Sequence, residues 1–230
     1  MSKPPTIDRK TLKLPDVFVQ RGTQLLGKLS TSRVGLIPIL MIGAVVAGGF
    51  FAYDQWDEHQ EQNAWTAFYR ASKAEATKKW DEYKSVHAQW PKSRAAMLAA
   101  VELGDFYYGT EAGKEAQQAG DWYSKALEFN RLLPVEKQLL LMNRGNALEL
   151  LKKWNESLAD YEQAYGMNGP AKALALLAIA RVQLEQGQVE KSAETYQKVM
   201  TEFPGTEYGK TAKNHWRKLK SPLLRTETGR

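Results

Sequence analysis

The chain has 230 residues, 43% hydrophobic and 25% charged, a globular balance that argues against wholesale disorder. It contains no cysteine and three histidines, which excludes a disulfide scaffold, thiolate metal sites and a cysteine nucleophile. The formal charge is +6, but residues 1–33 hold +5 of it, so the remainder has no electrostatic footprint for a phosphate backbone.

The basic leader, residues 1–33, is irregular at its start because Pro4, Pro5 and Pro15 interrupt it. After Asp16, Phe18, Leu25 and Leu29 recur at helical spacing with Arg21 and Lys28 between them. A short amphipathic helix at a membrane surface and an unstructured basic tail both fit this pattern.

Residues 34–53 read VGLIPILMIGAVVAGGFFAY, without a charge. Twenty helical residues at 1.5 Å each cover about 30 Å, one hydrocarbon core. Ten are Val, Leu, Ile or Phe, worth about −3 to −6 kcal/mol of insertion before the Gly and Pro offsets. Seven cations precede the run, while Asp54, Asp57, Glu58 and Glu61 follow it. The positive-inside rule then predicts a cytoplasmic N-terminus and a C-terminal domain across the membrane. Read instead as a signal peptide, the segment would be cut near Ala47-Gly48-Gly49, but the apolar run and its leader are both long for that. Gly43 with Ala47, and Ala44 with Gly48, form small-x-x-x-small pairs on which two membrane helices could pack closely. Tyr53 and Trp56 fall where an aromatic belt would lie.

Beyond Trp56 the sequence is rich in Ala, Leu, Glu, Lys and Gln, and lacks alternating β-branched runs, so the expected fold class is all-α. Pro91, Pro134, Pro170 and Pro204 step by 43, 36 and 34 residues. Tyr83, Tyr123, Tyr161 and Tyr196 step by 40, 38 and 35. Ala119, Ser157 and Ser192 precede the last three tyrosines by four, and Val86, Ala126, Ala164 and Val199 follow the four by three. Small, aromatic, small at 0, +4 and +7 is one helix face. Partner helices carry a close-packing residue at Gly104 and Gly145, replaced by Ala180 in the third unit.

These spacings resemble the tetratricopeptide pattern, a helix–turn–helix repeat of 34 residues. Residues 93–133, 137–169 and 171–204 each fit, the first with extra residues around 111–116. Residues 57–90 could be a fourth, degenerate hairpin or one long helix, since no Gly or Pro marks a turn. Residues 206–219 read as a capping helix with Thr206 as N-cap and Trp216 facing inward. The expected organisation is a leader at 1–33, a membrane helix at 34–53, a tetratricopeptide-like solenoid at 54–220 and a disordered tail at 221–230.

No H-E-x-x-H, G-x-S-x-G or Walker loop occurs, so no enzyme, cofactor, metal or small-molecule substrate is expected. His87 reads as a core histidine. First helices of stacked hairpins line a concave groove. Counted from the Gly positions, the groove would present Leu98, Val101, Asp105 and Tyr108, then Leu139, Met142, Asn146 and Glu149, then Leu174, Leu177, Arg181 and Leu184. Asn143 and Asn146 match Asn positions of carboxylate-clamp domains, but the accompanying Lys and Arg set is not evident.

The order of parts, with MLAAVELGDFYY at 97–108 and ALLAIARVQLEQGQVEKSAETYQ at 175–197, resembles the YfgM-like ancillary subunits of the Sec translocon. The resemblance implies a single-pass protein of a bacterial inner membrane with a periplasmic domain. It implies as partners the SecYEG channel, a membrane-anchored periplasmic prolyl isomerase and unfolded secretory chains, and a chaperone-like role at the channel exit. Residues 196–212, YQKVMTEFPGTEYGKTA, also resemble junctions of envelope assembly proteins such as BamD, which implies instead a scaffold for folded partners.

Overall fold

A computed structural model describes residues 33–110 and 114–221, with side chains from Pro38 onward. The leader helix expected from Phe18, Leu25 and Leu29, and the tail expected to be disordered, lie outside the described residues except Arg33 and Ser221. Every described element is an α-helix. In chain order they are α1 (Arg33–Lys73), α2 (Ala76–Gln89), α3 (Arg94–Tyr108), α4 (Ala116–Leu127), α5 (Pro134–Leu150), α6 (Trp154–Gly166), α7 (Lys172–Glu185), α8 (Val189–Glu202) and α9 (Glu207–Lys220). Internal contacts divide the chain into two units at Glu58 and His59.

In the first unit, every residue from Pro38 to Trp56 is exposed. The helix is long and apolar enough to cross a membrane by length and composition. A Cβ added at Gly43 or Gly48 would meet nothing within 4 Å, so the small-residue face is open.

In the second unit, consecutive helices from α2 to α9 pack on one another, and α9 also reaches α7. The chain breaks at Ala74-Glu75, so residues 57–90 form a helix–turn–helix rather than one long helix. The Phe68 and Tyr83 rings meet across it with centroids 5.2 Å apart. Trp80 stacks on Phe106 at 3.9 Å and ties α2 to α3. The N-terminus of α3 is capped twice. Ser93 Oγ accepts from Ala96 N at 3.0 Å, and the Glu61 carboxylate accepts from Arg94 N at 3.0 and 3.1 Å.

The repeat spacings become packing. A Cβ on Gly104 would come within 2.5 Å of Tyr123 Cε1, and one on Gly145 within 2.5 Å of Tyr161 Cε1. Each glycine therefore lets the aromatic of its own hairpin approach the helix closer than any side chain would allow. Ser157 Oγ donates to Gly145 O at 2.9 Å, and Ser192 Oγ donates to Ala180 O at 2.7 Å. In these two hairpins the small residue of the second helix thus bonds the carbonyl of the first helix at the close-packing position. Ala119 fills this place in the first hairpin and is fully buried.

Two polar groups join successive hairpins. Gln138 is fully buried; its Nε2 donates to Ala164 O at 2.9 Å and its Oε1 accepts from Ala171 N at 3.1 Å. It clips the end of α6 to the start of α7. Arg144 holds Asp160 in a bidentate pair at 2.7 and 2.6 Å, with Asp160 only 5% exposed, and reaches Ser124 Oγ on α4 at 3.3 Å. At the far end Thr206 Oγ1 accepts from Gly209 N at 3.2 Å, which makes Thr206 the N-cap of α9. Trp216 packs inward, and its Nε1 finds no hydrogen-bond partner among the described residues.

Candidate functional site

The helices α3, α5 and α7 carry the twelve residues expected to line a groove. Four of them meet in one place. Tyr108 at the end of α3, Asn146 and Glu149 on α5, and Arg181 on α7 line a cleft of about 210 Å³ together with Leu150, Trp154 and Glu185. These last three were not singled out from the sequence. Leu150 and Trp154 sit four residues apart across the Lys152-Lys153 turn, where the α5–α6 connection folds back. Lys152 holds a positive φ of 57° in that turn.

Three of the lining residues, Asn146, Glu149 and Arg181, belong to a hydrogen-bonded network that includes Tyr161. Tyr161, fully buried on α6, places its hydroxyl 2.6 Å from Asn146 Oδ1 and 2.7 Å from Glu149 Oε2, within donating distance of either acceptor. Arg181 donates from Nε and Nη2 to the two Glu149 oxygens, each at 2.7 Å. Burial, then the Glu149 charge, pushes the Tyr161 hydroxyl above its ordinary range. The hydrogen bond to Glu149 raises the Arg181 guanidinium in turn. Both groups therefore hold fixed charge states near neutrality.

The equivalent tyrosine of the first hairpin follows the same rule. Tyr123 donates to Asp105 Oδ1 at 2.6 Å, and burial followed by this bond raises its hydroxyl well above the usual range. Asp105 and Asn146 occupy the position after each close-packing glycine. Both are engaged by the tyrosine of their own hairpin.

The other expected groove residues distribute by depth. Leu139 and Leu174 are 47% and 44% exposed. Leu98, Val101 and Leu177 are half-buried against the core, and Leu184 is half-buried. Met142 is buried with Leu141, Tyr161 and Leu176 in the core. His87 places Nδ1 3.3 Å from Ala96 O and meets Trp122 edge-on at 5.4 Å, a histidine among aromatics. No group of three or more metal-ligating side chains occurs among the described residues.

A family profile described as tetratricopeptide repeat matches residues 174–206. That span covers nearly all of α7, all of α8 and the N-cap of α9. No curated protein matches the chain. The repeat match and the all-helical fold support a tetratricopeptide-like helical-repeat protein, whose repeats generally mediate protein–protein contact.

Proposed function

We propose that this chain is a membrane-tethered, non-enzymatic module that captures protein segments along the face built by α3, α5 and α7. The observation that carries the reading is the cleft shared by Tyr108, Asn146, Glu149 and Arg181, three helices converging on one recess. Exposed Leu139 and Leu174 supply apolar contacts on the same helices. Extended chains suit such a surface, because a mixed recess engages side chains without demanding one folded shape.

The finer reading follows from the apolar run of α1, the charge bias around it and the YfgM-like resemblance. On this reading α1 anchors the chain in a bacterial inner membrane with the leader in the cytoplasm and residues 54–220 as a solenoid in the periplasm. Gly43, Ala44, Ala47 and Gly48 then form the face that meets another membrane helix. The partners would be the SecYEG channel, a periplasmic prolyl isomerase and secretory chains emerging from the channel.

Purified full-length protein should bind a permanently unfolded polypeptide, read by fluorescence anisotropy. Tyr108→Ala combined with Leu174→Ala should weaken that binding by about tenfold, roughly two lost apolar contacts. Equal affinity in the variant would remove the cleft from the reading. Tight binding of one folded partner, with no affinity for unfolded chains, would favour the scaffold role instead.

A further inference from the structure

The charge of the second unit is concentrated on its last helix. Residues 59–206 carry a net −1, whereas α9 with its five cations and Glu207 carries +4. Lys210, Lys213, Arg217 and Lys220 step by three, four and three and fall on one helix face. All four are exposed. Tyr208, Ala212, Trp216 and Leu219 lie on the opposite face and pack on the core. Lys210 bonds Glu207 at 2.6 Å; among the described residues no ion pair engages Lys213, Arg217 or Lys220.

We propose that this face of α9 docks electrostatically on an anionic phospholipid surface. The stripe is rigid, because its backing face is fixed in the core. It is complementary to headgroup phosphates and contains no free carboxylate. Each cation close to an anionic surface changes the docked-to-free ratio by about fivefold. The apolar face of α9 takes no part, so the contact is superficial and sensitive to salt. The proposal rests on α1 being a membrane anchor.

The chain lacks cysteine, so Asn214→Cys beside the stripe takes a single fluorophore. Full-length labelled protein is placed in nanodiscs of phosphatidylcholine alone, and in discs where a third of the lipid is phosphatidylglycerol, with an energy acceptor on the headgroups. Transfer should be higher in the anionic discs and fall to the neutral level at about 0.5 M salt. It should fall similarly in K213Q/R217Q/K220Q, with the docked-to-free ratio down about a hundredfold. K213R/K220R, which keeps the charge, should retain it. Circular dichroism verifies that each variant is folded. Equal transfer in both lipids, or transfer unaffected by the triple substitution, overturns the proposal. A chain that enters neither disc overturns the anchor and the proposal with it.

Discussion

Gly145 and Tyr161 are in direct contact, the ring lying so close that a Cβ on the glycine would stand 2.5 Å from Cε1. This contact sets how near α5 and α6 approach. Gly145→Ala gains about 1 kcal/mol of helix propensity, but the forced displacement of a fully buried ring costs about 1–3 kcal/mol. The tyrosine is pinned at its hydroxyl and cannot swing aside cheaply, so the clash wins. Urea unfolding should show Gly145→Ala less stable than wild type. Gly166→Ala has no neighbour within 4 Å and is the matched control, expected to be neutral or stabilised by about 0.5 kcal/mol.

Asp160 depends on Arg144. With the carboxylate almost wholly buried, Arg144→Met leaves an uncompensated charge and should cost about 3–5 kcal/mol. Replacing both residues, Arg144→Met with Asp160→Leu, removes the orphan and should recover most of that loss. Thermal unfolding of the two variants tests this; equal destabilisation of single and double variants would contradict it.

Alkaline stability follows from the buried tyrosines. Burial raises the hydroxyls of Tyr123, Tyr161 and Tyr196 in the folded chain, so the unfolded chain loses those protons first. The stabilisation is fully present below about pH 10, the unfolded value, and is lost as pH rises beyond it. Each tyrosine contributes a slope of at most about 1.4 kcal/mol per pH unit above that point, reached where the folded hydroxyl keeps the proton the unfolded one has lost. Tyr161→Phe should be less stable at pH 7, and its stability should fall less steeply between about pH 10 and 11. A slope unchanged by the substitution would contradict the assignment.

The opposite window tests His87. Burial lowers its basicity, so its stabilisation is present above about pH 6.5 and declines as pH falls through that value. His87→Phe should flatten the acid limb of the stability profile below about pH 6.5.

The repeat was legible because close packing demands particular residues at fixed spacing. Gly104, Tyr123, Gly145, Tyr161 and Ser192 stand where a hairpin must be narrow. The turn at Ala74-Glu75 was not legible, because it uses no Gly or Pro and depends on Phe68 meeting Tyr83. Gln138 and Arg144 also escaped notice. On paper they are ordinary polar helix residues; the docking of α6 and α7 buries Gln138, and the packing of α4 and α6 on α5 half-buries Arg144. Of the residues counted from the glycine, Tyr108, Asn146, Glu149 and Arg181 share one recess, whereas Met142 is buried in the core. Trp154 comes from the next helix and no count along α5 reaches it.

The most direct test places a photocrosslinking residue at Tyr108 in the native membrane, with a control at Gln163 on the exposed face of α6. The account predicts that Tyr108 captures translocon subunits and a range of secretory chains while Gln163 captures few or none. A single folded envelope protein at Tyr108, or equal capture at both positions, would contradict it.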